Sequence, residues 1–242
     1  MMPTRAMALA AGLGTRMRPL TNTRPKALVE VAGVSLLDRA LDHLAAAGVG
    51  QVVVNLHHFG EMIAERVASR RRPEILLSRE PALLETGGGV AQALPKLGTD
   101  PFFVVSTDVI WLDGAQSALR RLAAAWDDAR MDALLLLYPV KGALGYAGHG
   151  DFSLEDAGRL KRRPKDGEAP YLFTTVQLLH PRLFDGMTVG VFSLNVCYDK
   201  AIAAGRAFGL VHDGLWAHVG TPEAIPKAEA FLAHHQKQGA AT

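Results

Sequence analysis

The feature that most constrains the fold is an apolar run that leads directly into a glycine-rich loop. Residues 6–9 read AMAL, and AAGLGTRMRPLTNTRPK follows, ending at Lys26. An apolar run of this length, bounded by glycines, predicts a buried strand that delivers its carboxyl end into a loop. Gly12 and Gly14 allow the backbone of that loop to approach a ligand closely. We therefore expect a sheet whose first strand ends at a binding loop.

The same loop carries groups that hold phosphate. Successive backbone N–H groups in such a loop form a concave anion site, and positive charge is added by Arg16, Arg18, Arg24 and Lys26. A dinucleotide fingerprint would need a third Gly or Ala at the position of Met17, and a Walker loop would need Gly-Lys-Ser/Thr, which is absent. A Gly-x-Gly pair alone also fits a plain turn. The loop predicts a triphosphate cradle.

Apolar runs and helical patterns alternate at short intervals over the first half of the chain. Ser35 is placed to cap a helix and Gly48 to end it. The predicted elements are helices over 36–47, 59–70 and 90–97 and strands over 51–55, 74–78 and 102–105. This order predicts an α/β, Rossmann-like fold with a mostly parallel central sheet flanked by helices. The glycine loop then lies where such sheets bind ligands.

The second half of the chain has a different texture. Residues 141–170 are rich in glycine and charge, which predicts a small β-ribbon built over the sheet. Asp113 and Thr221 are placed to cap helices. The remaining predicted elements are strands over 133–138, 171–180, 208–212 and 215–219, and helices over 114–126, 195–204 and from Pro222 onward.

Composition limits the classes to which the protein can belong. The 242 residues are 49% hydrophobic and 21% charged, with a formal net charge of +2, as in ordinary globular domains. The chain has no long basic run, so nucleic acid is a poor partner. No apolar run approaches the roughly 20 residues that span a bilayer, and the first residues lack a signal-peptide pattern. We expect a cytoplasmic protein that does not associate with membranes.

An acidic residue follows the strand predicted over 102–105. Asp108 lies at the carboxyl end of that strand, beside the expected position of the glycine loop. A carboxylate next to a phosphate site suits Mg²⁺, which takes oxygen ligands from protein, water and phosphate. The alternative is an aspartate that caps the following turn. We expect Asp108 to be a metal ligand.

Three strings in the chain resemble signatures of one family. They are GLGTRMRPLT followed by PK at 12–26, LETGGG at 84–89 and WAHVGTPE at 216–223. The first and third resemble the sugar nucleotidyltransferases, which join a nucleoside triphosphate to a sugar 1-phosphate and release pyrophosphate. The second resembles the uridylyltransferases that act on N-acetylmuramate 1-phosphate in cell-wall sugar recycling. The resemblance therefore implies UTP and this sugar phosphate as substrates.

The resemblance also implies how the chain is divided. It implies one nucleotidyltransferase-type domain over 1–242, with a nucleotide-binding part in 1–138. The sugar-phosphate-binding part is then 139–242, which contains the β-ribbon and the terminal helix.

Individual roles follow from the same resemblance. Arg16 neutralises the departing phosphates, Lys26 bridges the α-phosphate and the incoming phosphate, and Asp108 holds Mg²⁺, or alternatively Mn²⁺. The triple glycine at 87–89 supports the base. The implied nucleotide contacts are Leu9, Ala11, Gly12, Gly14, Thr15, Glu80 at the base edge, Glu85 and Gly88. The implied sugar-phosphate contacts are Gly145, Thr175 and, from the cation cluster at 161–163, Lys161 and Arg163.

Two positions depart from the family pattern. His218 stands where many members have a second metal-binding Asp, and Thr175 stands where relatives usually have Gly. A neutral imidazole is a poor ligand for Mg²⁺ but serves Mn²⁺. Asp108 and substrate phosphates could suffice, the metal preference could be shifted, or the chain could bind nucleotide sugars without turning them over. The side chain of Thr175 would narrow or rewire the sugar pocket.

Alternatives in substrate and in class stay open at this point. Within the enzyme class, the alternative is a guanylyltransferase that uses GTP with mannose 1-phosphate or a heptose 1-phosphate. Outside it, the alternative is a non-catalytic nucleotide-sugar sensor or a regulatory subunit. The chain lacks the C-terminal extension of larger relatives, so we expect a monomer or a homodimer.

Overall fold

The protein is described by a computed structural model that covers residues 2–239. Within these residues the centre of the fold is a nine-stranded mixed sheet, accompanied by two small two-stranded sheets. The strands are β1 (Arg5–Leu9), β2 (Glu30–Val31), β3 (Val34–Ser35), β4 (Gln51–Leu56), β5 (Glu74–Arg79), β6 (Phe102–Ser106), β7 (Val109–Leu112), β8 (Ala133–Pro139), β9 (Phe152–Leu154), β10 (Leu160–Arg162), β11 (Tyr171–Leu179), β12 (Ala207–Val211) and β13 (Leu215–His218).

Helices flank this sheet, and several follow a strand after a short connection. In the described part of the chain they are α1 (Leu36–Ala47), α2 (Gly60–Val67), α3 (Glu85–Leu97), α4 (Ala118–Ala125), α5 (Leu194–Ala203) and α6 (Ala224–Gly239). Among residues 2–239, none of these helices combines the length and the apolar character needed to cross a bilayer.

The strand order explains where a ligand can bind. Strand β1 pairs in parallel with β4 and β6, and β4 pairs in parallel with β5. Strand β11 joins this group antiparallel to β6 and continues to β8, which pairs in parallel with β12. The carboxyl ends of β1, β4, β5 and β6 therefore lie along one edge, where parallel sheets bind ligands.

Apolar residues on alternate sides of the central strands build two cores. In β1, Ala6 and Ala8 belong to one core, whereas Met7 belongs to the core on the other face. The same division separates Val105 from Val104 in β6. Because successive side chains of a strand point to opposite faces, a strand covered on both sides is apolar throughout. The run AMAL is such a strand.

Most predicted elements are present, with shifted ends. Helix α1 begins after Ser35, whose hydroxyl accepts from the Asp38 N–H at 3.0 Å, and it ends at Gly48, as predicted. Helix α2 is shorter than the predicted 59–70, and α6 begins at Ala224 rather than at Pro222. The predicted β-ribbon is the antiparallel pair of β9 and β10.

The strand over residues 109–112 was not predicted. Residues 109–112 form β7, which pairs with β13 in a two-stranded sheet of its own. The helix predicted at 114–126 begins at Ala118. Asp113 does contact the start of that helix, since its Oδ1 accepts from the Ala118 N–H at 2.9 Å. Val, Ile and Trp favour strands, and the partner strand β13 that completes this small sheet lies far along the chain.

Candidate active site

A cleft of about 320 Å³ opens at the carboxyl edge of β1, β4, β5 and β6. It brings together segments that are far apart in the chain. The lining residues are Leu9, Ala10, Ala11, Gly12, Lys26, Ala27, Asn55, Glu80, Leu83, Glu85, Thr86, Ser106, Thr107, Asp108 and Ser193. The expected nucleotide residues Leu9, Ala11, Gly12, Glu80 and Glu85 are thus gathered with Lys26 and Asp108.

Gly14 folds the glycine loop back on itself. Its φ is 61°, and the Thr21 hydroxyl donates to its carbonyl oxygen at 2.8 Å. A Cβ at this position would lie 2.9 Å from the Cβ of Lys26, closer than side-chain carbons normally approach. Gly14 therefore places Lys26 against the loop. Thr15 and Arg16 lie on the short 3-10 turn that follows; both are exposed and neither lines the cleft.

A buried hydrogen-bonded chain holds the start of this loop. Asn55, at the end of β4, accepts from the Ala10 N–H through Oδ1 at 2.7 Å and donates to Glu80 Oε1 at 2.7 Å. The second carboxylate oxygen of Glu80 accepts from the Leu84 N–H at 3.1 Å. Both side chains are buried. Glu80 lines the cleft, but its two oxygens already have protein partners, which differs from the base-edge role that the resemblance implies.

The three glycines of LETGGG lie inside α3 rather than before it. The N–H groups of Gly87 and Gly88 donate to the carbonyl oxygen of Phe192 at 2.9 and 3.0 Å. A Cβ on Gly88 would lie 1.8 Å from the carbonyl oxygen of Gly190. The glycines therefore let residues 190–192 pack directly on the helix. This packing covers the surface expected to support the base, and Gly88 does not line the cleft.

Lys26, Asp108 and His218 form a cluster at one end of the cleft. Lys26 Nζ lies 3.1 Å and His218 Nε2 lies 3.5 Å from Asp108 Oδ2, and all three side chains are partly buried. Burial by itself would raise the pKa of the Asp108 carboxyl. Its contact with His218 and the positive charge of Lys26 outweigh burial and hold that pKa well below its ordinary range. Asp108 is therefore an anion at neutral pH.

The unpredicted strand β7 explains why His218 is there. Strand β13 pairs antiparallel with β7, and His218 lies opposite Val109, one residue after Asp108. The Val219 N–H donates to the Asp108 carbonyl oxygen at 2.9 Å. Gly145 supports the other side of β13, because a Cβ there would lie 2.3 Å from the His218 carbonyl oxygen. The predicted sugar contact Gly145 thus packs against the backbone of His218.

The cluster offers a divalent metal part of a coordination shell. Asp108 Oδ1 is buried and has no hydrogen-bond partner within residues 2–239, so this oxygen can accept a further ligand. In the described part of the chain, no group of three or more His, Cys, Asp or Glu side chains is arranged to hold a metal. A metal at Asp108 would therefore take most of its ligands from substrate oxygens and water, as Mg²⁺ commonly does.

The predicted sugar-phosphate cations Lys161 and Arg163 lie away from the cleft. Lys161 is exposed and pairs with Glu155 at 3.7 Å. Arg163 donates to backbone carbonyl oxygens of 164–167, including that of Gly167 at 2.7 Å, and so closes a loop. The side chain of Arg162, between them, points to the opposite face of the strand. Its guanidinium lies over the rings of Phe152 and Tyr198.

A second cavity of about 190 Å³ adjoins the cleft. Leu9, Thr86, Ser106 and Ser193 line both spaces. The other lining residues are Phe173, Thr175, Gln177, Leu194, Asn195 and Tyr198. The predicted sugar contact Thr175 lines this second cavity. Its φ is 66°, a left-handed conformation that favours glycine, which is the residue relatives usually have at this position.

Sequence reasoning missed several residues of these two cavities. Asn55 ends the predicted strand QVVVN, and a polar residue at the carboxyl end of a parallel strand is a recognisable signal of a binding site. Ser193 and Tyr198 gave no such signal. They come from the loop before α5 and from α5 itself, and only the tertiary fold brings them to the sheet edge.

The family model for the MobA-like NTP transferase domain matches residues 6–182. The chain is 44% identical to the N-acetylmuramate alpha-1-phosphate uridylyltransferase of Caulobacter vibrioides over 236 residues, covering 96% of this chain and 98% of that protein. It is 36% identical to the protein of the same name from Neisseria meningitidis serogroup B, covering 94% and 97%.

The fold is also found in solved structures. A putative glucose-1-phosphate thymidylyltransferase from Bacillus anthracis superimposes with a TM-score of 0.79 at 15% sequence identity, covering 94% of each chain. At this identity the superposition shows a shared fold. Because the family model covers well over half of the chain and close relatives align along nearly its whole length, the chain belongs to the family of MobA-like NTP transferase domains.

Proposed function

We propose that the protein transfers a uridylyl group from UTP to N-acetylmuramate 1-phosphate and releases pyrophosphate. The observation that carries this proposal is the pairing of Lys26 with Asp108 at 3.1 Å, in the cleft that the glycine loop lines and that adjoins the cavity containing Thr175. A cation in this cleft can meet two phosphates at once. The uridylyltransferases at 44% and 36% identity favour UTP and the muramic acid derivative.

The chemistry is a direct displacement at phosphorus. A phosphate oxygen of the sugar 1-phosphate forms a bond to the α-phosphorus of UTP. The bond from that phosphorus to the bridging oxygen of the β-phosphate breaks, and pyrophosphate leaves with the electron pair. Such a transfer needs little covalent help from the protein, since positioning and charge neutralisation supply most of the rate.

The glycine loop binds the triphosphate. Backbone N–H groups of residues 11–15 donate to phosphate oxygens, and Gly12, which has open space at its Cα, allows the phosphates to approach. Arg16 is exposed on the adjacent turn, where its long side chain can reach the β- and γ-phosphates. Negative charge grows there as pyrophosphate departs, so a cation stabilises the transition state.

Lys26 orients the two reacting phosphates. Its ammonium group bridges the α-phosphate of UTP and the phosphate of the sugar, which would otherwise repel each other. Asp108 holds Lys26 in place and would also hold Mg²⁺ or Mn²⁺ through its free oxygen, with His218 beside it. A bound divalent ion would neutralise phosphate charge.

The sugar occupies the second cavity. Polar side chains there can bond ring substituents, and Phe173, Leu194 and Tyr198 provide apolar surface for the ring. Thr175 is part of this lining. Lys161 and Arg163 are not needed for this placement, because they lie away from both cavities.

Pyrophosphate release by the purified protein tests the proposal. The assay uses Mg²⁺ and, separately, Mn²⁺, with each of the four common nucleoside triphosphates and a panel of sugar 1-phosphates. Turnover with UTP and N-acetylmuramate 1-phosphate is expected. Turnover with GTP and mannose or heptose 1-phosphate instead would assign the guanylyltransferase activity. No pyrophosphate with any pair, together with tight binding of a nucleotide sugar, would identify a sensor.

A further inference from the structure

Thr175 has a backbone conformation that is unfavourable for its residue type. Its φ of 66° lies in the left-handed region, which a β-branched side chain rarely adopts. The residue sits in a bulge of β11: Phe173 pairs with Leu137 and Gln177 with Leu135, so residues 174–176 lie opposite Leu136 alone. Strained residues of this kind concentrate at functional sites.

The neighbouring threonine, rather than Thr175, holds this bulge. The hydroxyl of Thr174 is fully buried and donates to the Leu136 carbonyl oxygen at 2.7 Å, while Trp216 Nε1 donates to the Thr174 carbonyl oxygen at 3.3 Å. These bonds fix the path of the strand. The bulge therefore does not depend on the side chain of Thr175, which lies in the wall of the cavity.

The hydroxyl of Thr175 has no partner in the protein. Its Oγ1 is buried and makes no hydrogen bond within residues 2–239. A buried hydroxyl without a partner is costly, since it gives up its bonds to water. Asp108 Oδ1 is in the same situation in the adjoining cleft. Thr175 lines one cavity and Asp108 lines the other, so a ligand bound there can supply the missing partner to each.

Three other polar side chains of the cavity already have partners in the protein. Gln177 Oε1 accepts from the Tyr198 hydroxyl at 2.7 Å, and both side chains are buried. Asn195 Oδ1 accepts from Arg162 at 3.0 Å. These contacts make the wall rigid. The unpaired Thr175 hydroxyl can donate and accept, so it suits a sugar hydroxyl or an amide oxygen.

We propose that Thr175 is a specificity-determining residue whose hydroxyl bonds a polar ring substituent of the sugar 1-phosphate. The inference rests on the proposed function. Glycine would fit this backbone without strain, so the threonine side chain stands in the wall of the cavity at the expense of an unfavourable φ. A site built to bond a polar group rejects analogues that lack it.

Three replacements of Thr175 separate the hydroxyl from the shape of the side chain. Thr175→Val keeps the β-branched shape and removes the hydroxyl. Thr175→Ser keeps the hydroxyl, and Thr175→Gly removes both and relieves the backbone. Thr99→Val, at an exposed position in the turn before β6, is the matched control.

The expected readout is a selective loss toward the sugar phosphate. For Thr175→Val we expect kcat/KM for N-acetylmuramate 1-phosphate to fall by about tenfold or more, with KM for UTP unchanged. Thr175→Ser should retain most of the activity. Thr175→Gly should melt at a higher temperature than the wild type yet discriminate less among sugar 1-phosphates. Thr99→Val should behave as the wild type.

Equal kcat/KM for Thr175→Val and the wild type, across the panel, would overturn the inference. An equal loss in Thr175→Ser and Thr175→Val would overturn it too, because it would show that shape matters and the hydroxyl does not. If the wild type releases no pyrophosphate, the proposed function fails. Binding of the sugar 1-phosphate, measured by calorimetry, then tests the inference about Thr175. Binding at least tenfold weaker to Thr175→Val supports the inference; equal binding, or none to the wild type, overturns it.

Discussion

Asn55 Nδ2 donates to Glu80 Oε1 at 2.7 Å behind the cleft at the carboxyl edge of the sheet. The same amide accepts from the Ala10 N–H, and the carboxylate accepts from the N–H of Leu84, which precedes the first turn of α3. One buried carboxylate therefore ties the glycine loop to the start of α3. These two segments flank the cleft, so a change at Glu80 should disturb the site from behind.

Glu80→Gln should lower the free energy of unfolding by about 1–3 kcal/mol. The amide nitrogen of Gln cannot accept from the Leu84 N–H, which then stays unpaired. We expect kcat with UTP and with GTP to fall by the same factor, measured by pyrophosphate release, and stability to be followed by urea unfolding. Glu74→Gln, at the exposed start of β5, is the control. A changed ratio of UTP to GTP turnover would mean that Glu80 reads the base.

Lys26→Ala and Arg16→Ala should each reduce kcat by about 10²-fold or more, because comparable transition-state contacts have that effect. Steady-state pyrophosphate release measures it, and circular dichroism checks the fold. Lys96→Ala, an exposed residue in the last turn of α3, should leave kcat unchanged. A loss of only a few-fold at Lys26 or Arg16 would contradict the role given to that residue.

Gly14→Ala and Gly12→Ala should have opposite profiles. At Gly14 the positive φ and the nearby Cβ of Lys26 make a methyl group destabilising, by about 1–3 kcal/mol, and displace the lysine. At Gly12 nothing lies within 4 Å of an added Cβ, so stability should hold while UTP binding weakens. Thermal melting and UTP titration distinguish the two. Equal stability of both variants would contradict the packing argument.

Stability should fall between about pH 7 and pH 5 in part because of His212. Burial lowers the pKa of this imidazole, whose Nε2 donates to the carbonyl oxygens of Leu112 and Leu215 while Nδ1 is buried without a partner. The unfolded chain binds a proton near pH 6.5, whereas the folded imidazole stays neutral at that pH. The stability that the neutral His212 contributes is fully present above about pH 6.5 and is lost as the pH falls below it.

The slope from one such group is at most about 1.4 kcal/mol per pH unit. Urea unfolding at pH 7.5 and pH 5.5 measures it. His212→Gln should reduce the difference between the two pH values, and His149→Gln, at an exposed side chain, should leave that difference unchanged. The same pH dependence in His212→Gln as in the wild type would rule out His212 as its source.

His218→Asp should shift the metal preference toward Mg²⁺. An added carboxylate beside Asp108 gives the oxygen donors that Mg²⁺ prefers, whereas imidazole favours Mn²⁺. We expect chelation of divalent metal to abolish pyrophosphate release in both proteins. The ratio of the half-saturating Mg²⁺ and Mn²⁺ concentrations should fall in the variant. An unchanged ratio would show that His218 does not contact the metal.

Local signals in the sequence were sufficient to predict most of the helices and strands and the glycine loop on one side of the site. The strand ending at Leu9 was predicted because its apolar run is bounded by glycines, and α1 because Ser35 and Gly48 mark its ends. The family was recognised from the loop that contains Gly12 and Gly14, and family membership is confirmed.

Long-range packing decided the rest. A run of glycines usually marks a turn or loop, but the glycines at 87–89 lie within α3. They are needed there because residues 190–192 pack where side chains would otherwise stand. The prediction that Lys161 and Arg163 contact the sugar phosphate depended on which face of the β9–β10 ribbon points toward the cleft. Periodicity in the sequence does not by itself determine how a ribbon is oriented on a sheet.

The sequence by itself determined the mostly parallel sheet, the glycine loop at its edge, and the presence of Lys26 and Asp108 beside that loop. Short-range patterns encode these features, because strand, loop and cap preferences act over a few residues. Only the tertiary structure decided that Glu80 supports the loop through Asn55, that His218 reaches Asp108 across β7 and β13, and that Thr175 lines a cavity with its buried hydroxyl unpaired. Each of these depends on contacts between residues distant in the chain, which local preference does not specify.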